Sequence, residues 1–558
     1  MTSSADSRPS PPRAVHGVVQ VMTARRAVGW VAGDAEQFPV RVDLCLNDLV
    51  VMTTWADHPS QVNTNGTAKG FLFAIRDLWS YVKTTDQVSF RVDGEPLPIA
   101  GKGLFKRRGT DGEFDVDDLR RKFAEGFVFD RSGRLQLSKK LDTQWQSEVI
   151  SLYERTAEVV KATTGYDIFV FYGSLLGQVR EGGFIGHDND FDTAYVSKHS
   201  DGPTAAAELR DVAFALVDAG MDVECKYSAL HIHDSADPRL RIDLFHTYFD
   251  ADDNLALPFG RAGDRPYRRD DWSGVTKGTM AGHDVAVPVN AEKLVAHLYG
   301  ENWSVPQAGF SWDEARTERD RTGLVSQPDR EAVYWTNFYA RHEFTSGSTF
   351  FDKVNAVSGL PGTVLDIGSG DGRDSFAFAK AGRRAIGLDR SAVGVEHATK
   401  KSEQAGLSDF LSFTTCDVSD VASVRTAIKN ARAQADGGAI LFYLRFFLHS
   451  IPEDVQEGLM KALADSARPG DHLAAEFRTD EDEAKAKTYG KHYRRFQNGP
   501  AFGRSLSERF GFTVLEEQEG TGLSVYKDED PVLYRVIARQ GPAASTPPAR
   551  GRRWGRRG

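Results

Sequence analysis

Three aspartates alternate in the segment FYGSLLGQVREGGFIGHDNDFDTAYV (171–196), at Asp188, Asp190 and Asp192. A fourth, Asp243, stands in the apolar run LRIDLFHTYF. Residues two apart in a strand point the same way, so Asp190 and Asp192 share a face and Phe191 takes the other. Asp243 lies between Ile242 and Leu244 and is expected to be buried on one side. A buried carboxylate is costly unless it is paired or metal-bound. Carboxylates converging from two strands suit Mg²⁺, which takes one or two of them together with water and substrate phosphate. Asp190, Asp192 and Asp243 are therefore the candidate metal set, with Asp188 beside them in the row. The bland alternative is a solvated strand end. Upstream, the apolar run YDIFVFYGS reads as a strand ending in Gly173-Ser174. Glycine lets backbone N–H groups approach an anion, so Gly173 and Ser174 are candidates for phosphate oxygens. Arg180 is either a cationic clamp on the same substrate or a structural ion pair. His231 and His233 come shortly before Asp243, but nothing completes a zinc set around them.

A second constellation lies in TVLDIGSGDGRDSFAFAKAG, which reads as strand, glycine-rich turn and helix. Gly368, Gly370 and Gly372 are spaced two apart, unlike the Gly-x-Gly-x-x-Gly of a dinucleotide pyrophosphate site. Asp366 precedes them. The next strand, RRAIGLDRS, ends in Asp389, where an acid can accept bonds from two ribose hydroxyls. The third, LSFTTCDVSD, ends in Asp417, placed for an adenine amino group. Ligands of open α/β sheets lie beyond the strand C-termini. Arg445 and His449, at the end of GAILFYLRFFLHSIPED, are thus candidates for an acceptor. His449 reads equally as a general base or as a capping or core histidine. The later KHYRRFQNG offers His492, Arg494 and Arg495, with Arg494 a candidate substrate cation or part of a solvated helix face. An NAD enzyme and a nucleotide-free Rossmann-like domain are the alternatives.

The elements that must position these residues fall into several domains, since 558 residues exceed one core. Residues 14–105 read as short strands rich in Val, Phe and Thr, a small antiparallel β-sandwich with an accessory role. Residues 140–320 form a central α+β domain, and 330–540 an α/β domain with a clear βαβ rhythm. The tail 541–558 carries five arginines around Trp554 and reads as disordered. It is a solvated tail or, more sharply, a peripheral contact with an anionic inner membrane face. The net charge of −10 argues against a nucleic-acid polymer as partner. Cys45, Cys225 and Cys416 form no CxxC pair, which suits a reducing, cytoplasmic setting. There is no signal-peptide pattern and no transmembrane run. The sequence leaves oligomeric state open.

The stretch GSLLGQVREGGFIGHDNDFDTAYV, followed by GHDVAVPVNAEKLVAHLYGENWSVP, resembles the LicD/fukutin family of the nucleotidyltransferase fold, over roughly 150–310. It departs from the family pattern at His187, where Trp is more frequent, and at Asn189, where an acid is common. The resemblance implies transfer of a phospho-alcohol, such as phosphocholine or a polyol phosphate, from a CDP-activated donor to a sugar hydroxyl of a glycan acceptor. It implies Mg²⁺ on Asp190 and Asp192, with Asp243 completing the site or taking the acceptor proton, and Asp188 as a further metal candidate. Residues 335–540 resemble a class I S-adenosylmethionine-dependent methyltransferase. That implies a cofactor site at Asp366, Gly368, Gly370, Gly372, Asp389 and Asp417. Together the resemblances imply a bifunctional surface-glycan-modifying enzyme that also O-methylates the glycan or its substituent. Fusion raises the local concentration of one product near the next site. Two other readings stand beside it: transfer of a nucleotide monophosphate to a small molecule or protein, or methylation alone beside a non-catalytic LicD-like binding domain.

Overall fold

The computed structural model describes residues 16–60, 67–305, 312, 316–341, 346–485, 493–525 and 529–541. His492 and the basic tail beyond residue 541 lie outside the described residues. The chain divides into two compact units, Met1–Ser326 and Gln327–Gly558. Among the described residues no helix is long and apolar enough to cross a membrane.

The first unit opens with two four-stranded antiparallel sheets. One has the order β1 (His16–Met22), β2 (Arg26–Gly33), β6 (Thr67–Ala74), β5 (His58–Pro59). The other has the order β4 (Leu49–Ala56), β3 (Val40–Leu46), β7 (Val88–Val92), β8 (Glu95–Leu97). Strand alternation is plain in β3. Val40, Val42 and Leu44 are buried, while Arg41 faces outward and pairs with Asp43 at 2.9 Å. Residues of both sheets, among them Val31, Leu44, Phe71 and Phe90, share one apolar core. Leu119 of helix α1 (Val116–Ala124) and Phe129 of strand β9 (Phe127–Phe129) join the same core.

Strand β9 pairs with β10 (Leu135–Leu137) as a hairpin. Its turn is held by Asp130, whose Oδ1 accepts from the backbone N–H groups of Ser132 and Arg134, both at 2.8 Å. The turn packs closely on the first sheet. A Cβ at Gly133, whose φ is +78°, would come within 2.5 Å of the Ala74 backbone.

Helix α2 (Thr143–Thr164), capped by Asp142, leads into a mixed sheet. Its order is β11 (Phe169–Val170), β12 (Phe191–Ser197), β15 (Arg241–Phe249), β14 (Ala229–His233), β13 (Asp222–Cys225), with β16 (Leu255–Ala256) paired to β15. Helix α3 (Tyr172–Glu181) joins β11 to β12, and α4 (Gly202–Asp218) joins β12 to β13. The apolar run before Gly173 thus gives only a two-residue strand. Gly173 and Ser174 sit in the first turn of α3 rather than at a strand end. β12 and β15 run parallel with Asp192 opposite Asp243, and β14 runs antiparallel to β15 with His231 opposite Asp243. Strands β17 (Val275–Met280) and β18 (His283–Pro288) form a hairpin before helix α5 (Ala291–Tyr299).

The second unit holds a seven-stranded sheet of order β21 (Leu411–Thr415), β20 (Arg384–Asp389), β19 (Thr363–Ile367), β22 (Ile440–Arg445), β23 (His472–Arg478), β25 (Leu533–Gln540), β24 (Phe512–Gly520). β25 is antiparallel to both its neighbours, and the pairings from β21 to β23 are parallel. β19 and β23 are buried at every residue, as expected of parallel strands covered on both faces. This unit is a Rossmann-like α/β fold.

A buried ion pair ties its central strands together. The carboxylate of Asp471 accepts from both terminal nitrogens of Arg432 (2.7 and 2.6 Å) and from the backbone N–H groups of Ile440 and Arg468. Removing one partner of a buried pair leaves an uncompensated charge. Asp471→Ala is therefore expected to destabilise this unit by about 3–5 kcal/mol, read from the shift of its denaturant-unfolding midpoint. A loss below about 1 kcal/mol, the range of an exposed pair, would show that Arg432 is not confined as described.

Candidate functional site

The unslipped pairing of β12 with β15 sets Asp192 and Asp243 side by side, and Asp190 stands just before β12. One carboxylate oxygen from each of Asp190, Asp192 and Asp243 lies within 4.8 Å of the other two. The first turn of α3 holds this row in place. Asp192 Oδ2 accepts from the N–H of Gly173 at 2.8 Å, and Asp192 N–H donates to Ser174 Oγ at 2.8 Å. A Cβ on residue 173 would lie 2.7 Å from Asp188 Oδ2 and 3.0 Å from Asp192 Oδ2, so only glycine fits. The Gly-Ser pair thus fixes the aspartates and brings Asp188 to them. Its bonds to Asp192 leave the Gly173 N–H no longer free to meet a phosphate directly.

The approach to this turn is strained. Tyr172 has φ +32°, rare for a bulky residue. Packing holds it there: its ring meets Phe171, Phe245, Phe259 and Trp312, and its hydroxyl donates to the Gly260 carbonyl at 2.7 Å.

Two arginines that sequence reasoning missed stand against the acids. Arg241 contacts Asp190 through Nη2 (2.5 Å) and Asp243 through Nε (2.8 Å). It lies two residues before Asp243 on β15, so strand periodicity alone could have found it. Arg131 comes from the turn of the β9–β10 hairpin. Desolvation opposes its charge, but the carboxylates of Asp188, Asp190 and Asp192 outweigh that and hold the guanidinium above its usual range. Its side chain is exposed. The hairpin is tied to the acid loop by Asn189 Nδ2 donating to Asp130 Oδ2 (2.9 Å) and by Lys139 N–H donating to the Gly186 carbonyl (2.8 Å).

His231 Nε2 lies 3.7 Å from Asp243 Oδ2. Burial and the neighbouring Arg241 push its pKa down to about 3, so it is neutral at ordinary pH. His233 instead faces the Pro238 carbonyl. Arg180 pairs with Glu181 at 2.6 Å, and Lys140 also reaches Glu181.

In the second unit the glycine turn follows β19. Gly368 and Ser369 donate to the Leu388 carbonyl (2.8 and 2.9 Å), which pins the turn to β20. Gly368 has φ +77°, and a Cβ there would strike the Phe447 ring at 2.1 Å. Gly370 N–H donates to Asp389 Oδ2 (3.0 Å), whose other oxygen accepts from Ser391 N–H. Gly372, at φ +80°, caps the helix Arg373–Lys380. Asp366 is buried, accepts from Ser375 Oγ at 2.6 Å, and is pushed up to about 7 by burial. The hydroxyl of Ser369 is buried without a hydrogen-bond partner. Asp366, the glycines and Asp389 therefore gather at one edge of the sheet. Asp417 lies two residues beyond β21, exposed, accepting from Ser419.

Arg445 ends β22 within 3.2 Å of the buried Glu476, which Arg535 also contacts at 2.5 Å. Asp374 lies 3.6 Å from Arg445 and accepts from Ser348 and Tyr443. His449 is buried, its Nδ1 facing the Arg478 N–H at 3.4 Å, and its carbonyl accepts from Arg495 N–H. Arg494 is half-buried; desolvation and nearby Arg478 pull its pKa down.

The crowding of the acid row has a measurable consequence. Burial and the carboxylate of Asp190 push Asp188 up to about 7, and burial does the same to Asp243 despite Arg241. Unfolded, each titrates near 3.9. The folded chain therefore binds more protons than the unfolded one between those values, so stability falls as pH rises through that window. In chelator, the melting temperature of the first unit is expected to drop from pH 5 to pH 7.5, and Asp188→Asn to flatten the slope. An equal slope in wild type and variant would contradict the described clustering.

Residues 165–290 match the LicD/FKTN/FKRP nucleotidyltransferase domain, and residues 361–430 match a methyltransferase domain. Similar solved structures include the Burkholderia thailandensis 1,6-didemethyltoxoflavin-N1-methyltransferase with bound S-adenosylhomocysteine. It is 19% identical, covering 39% of this chain and 92% of that one, with TM-score 0.29. Magnesium protoporphyrin IX methyltransferase of Synechocystis PCC 6803 is 17% identical, over 35% of this chain and 84% of that one, with TM-score 0.26. The glycopeptide N-methyltransferase MtfA is 16% identical, over 35% and 96%, with TM-score 0.27. The chain is a transferase that joins a LicD/FKTN/FKRP-family domain to a methyltransferase domain.

Proposed function

We propose that the first unit transfers a phospho-alcohol from a CDP-activated donor to a sugar hydroxyl of a surface glycan, with Mg²⁺. We propose further that the second unit O-methylates that glycan or its new substituent from S-adenosylmethionine. The observation that carries the first reading is the convergence of three carboxylate oxygens from two parallel strands, within a region matching the LicD family.

The donor set is all oxygen and all carboxylate, which fits a hard divalent cation. Asp190, Asp192 and Asp243 would hold it. When bound, Mg²⁺ neutralises charge on the donor pyrophosphate. The chain's own residues do the positioning. Gly173 N–H and Ser174 orient Asp192. Arg241 balances Asp190 and Asp243. Arg131, from the β9–β10 turn, is a second cation on the acid row suited to meet donor phosphate. Phosphoryl transfer asks chiefly for such placement and charge neutralisation.

The second unit fits S-adenosylmethionine through its own orphaned group. Ser369 Oγ is buried without a partner inside the glycine turn, where a ligand would supply one. Gly368 and Gly372 let the turn close on Phe447 and Phe413, Gly370 between them would admit close approach of the cofactor, and Asp389 stands at the end of β20 for its ribose. Asp366 lies beneath the turn, and Asp417 stands for the adenine. The cofactor supplies an electrophilic methyl group, and its transfer depends chiefly on alignment. Arg445, Glu476 and Asp374 form the charged wall that would hold the acceptor. Nothing in the methyl step requires His449 as a base.

Two outcomes test this. Asp192→Asn, incubated with a panel of CDP-alcohols, labelled S-adenosylmethionine and glycan from the producing cell, should lose phospho-alcohol transfer by about 100-fold or more while methylation continues. A product heavier by a nucleotide monophosphate would instead establish nucleotide transfer. Asp389→Ala should weaken S-adenosylmethionine binding in calorimetry by about tenfold or more, since hydrogen bonds to a charged group contribute roughly 1.5–3 kcal/mol. Unchanged affinity would remove Asp389 from the cofactor site.

A further inference from the structure

Strand β8 is followed by a loop whose composition runs against the rest of the chain. Residues 98–110 read PIAGKGLFKRRGT, with four cations and no acid, in a protein of net charge −10. Leu104 and Phe105 stand in the middle, 50% and 38% exposed. Apolar side chains scattered singly over a surface need no explanation. Two adjacent ones, bracketed by Lys102, Lys106, Arg107 and Arg108, are a different case.

The loop is gripped on both sides. Before the tip, Ile99 is buried in the apolar core that the two four-stranded sheets share, and Ala100 N–H donates to the Val19 carbonyl of β1 at 3.0 Å. After it, Lys106 exchanges two backbone hydrogen bonds with Val88 of β7, at 2.8 and 2.9 Å. Between these grips the chain closes on itself. Lys102 N–H donates to the Ile99 carbonyl at 2.9 Å, and Ile99 N–H to the Gly103 carbonyl at 2.6 Å. Gly101 and Gly103 supply the left-handed turns, at φ +70° and +78°. Apart from chain neighbours, no described atom would lie within 4 Å of a Cβ at either glycine. The tip therefore stands clear of the protein.

The four cations divide into two kinds. Lys106 lies over the Trp79 ring at 4.6 Å and Arg108 donates to the Trp79 carbonyl, so both brace the base of the loop. Lys102 and Arg107 are exposed, and Arg107 lies over the Phe105 ring at 5.3 Å. The arginine stem and the ring thus make one apolar surface with a charge at its edge.

A soluble polyanion would meet the cations and leave Leu104 and Phe105 in water. An apolar groove on another protein would take those two side chains and leave the cations unanswered. An anionic bilayer answers both: its interface accepts apolar side chains to a shallow depth, and its headgroups attract lysine and arginine. The chain's overall negative charge opposes such a surface, so the attraction must be local.

We infer that this loop docks the first unit on an anionic lipid surface, with Leu104 and Phe105 entering the boundary between headgroups and acyl chains and with Lys102 and Arg107 on the headgroups. The inference goes beyond the proposed transfer and stands whether or not the acid row moves phosphate.

The test is flotation of the full-length chain with vesicles of phosphatidylcholine alone or mixed equally with phosphatidylglycerol. The chain is expected to float with the mixed vesicles, to stay behind with phosphatidylcholine, and to be released by high salt. Hydrogen exchange at residues 103–105 should slow on the mixed vesicles. Leu104→Ser combined with Phe105→Ser keeps every cation and should weaken binding by about tenfold or more. Lys102→Gln combined with Arg107→Gln keeps both apolar side chains and should weaken it by about 25-fold, since each cation near the surface contributes roughly fivefold. All four residues are exposed, so both variants should melt with the wild type. Four outcomes would overturn the inference: no flotation with mixed vesicles, wild-type flotation by the serine variant, flotation lost only when the five tail arginines become glutamine, or retention on heparin by a chain that does not float.

Discussion

Like charges forced together organise the first unit. β12 and β15 pair in parallel without a slip, and that register alone sets Asp192 beside Asp243. A slip of one residue would turn either carboxylate to the other face of the sheet. The surroundings answer the repulsion that the register creates. Arg241 leans on Asp190 and Asp243 from the same strand, and Gly173 offers its N–H to Asp192. A left-handed tyrosine holds the helix start that presents that N–H. Even so, four carboxylates face two guanidiniums, and the remaining imbalance suits a divalent cation.

The second unit solves a different problem with related means. There glycines at positive φ let the turn pack directly against the rings of Phe447 and Phe413. The turn is fixed by bonds to the Leu388 carbonyl and to Asp389, so the strand that carries the acid also carries the loop. Phe446, at φ +50°, stands immediately after β22, beside Arg445. Both units thus place a strained aromatic residue next to their candidate site, as functional sites often do.

How much of this the sequence disclosed depends on how local the cause was. Period-two spacing is local, so Asp190 and Asp192 were legible as one face, and Asp243 stood out as an acid inside a second apolar strand. Glycine spacing after an apolar strand is local too, and it pointed to Asp366 and Asp389. The secondary structure at Gly173-Ser174 was misjudged because the apolar run YDIFVFY reads as a long strand. In the fold only Phe169 and Val170 pair, and the run then bends into α3. Arg131 was illegible because its role comes from the docking of a hairpin, which no spacing encodes. The Arg445–Glu476–Arg535 network was hidden in the same way: three strands, distant in sequence, must first lie side by side.

The hairpin carries one more consequence. The recognisable family region spans 165–290, yet Asn189 is bonded to Asp130 and the acid row is faced by Arg131. Gly186, within that region, is likewise tied to Lys139, outside it. The structural unit that holds the acid row is therefore larger than the recognised region. A recombination event that joined foreign sequence at residue 165 would transmit the aspartates without the wall and the cation built to face them.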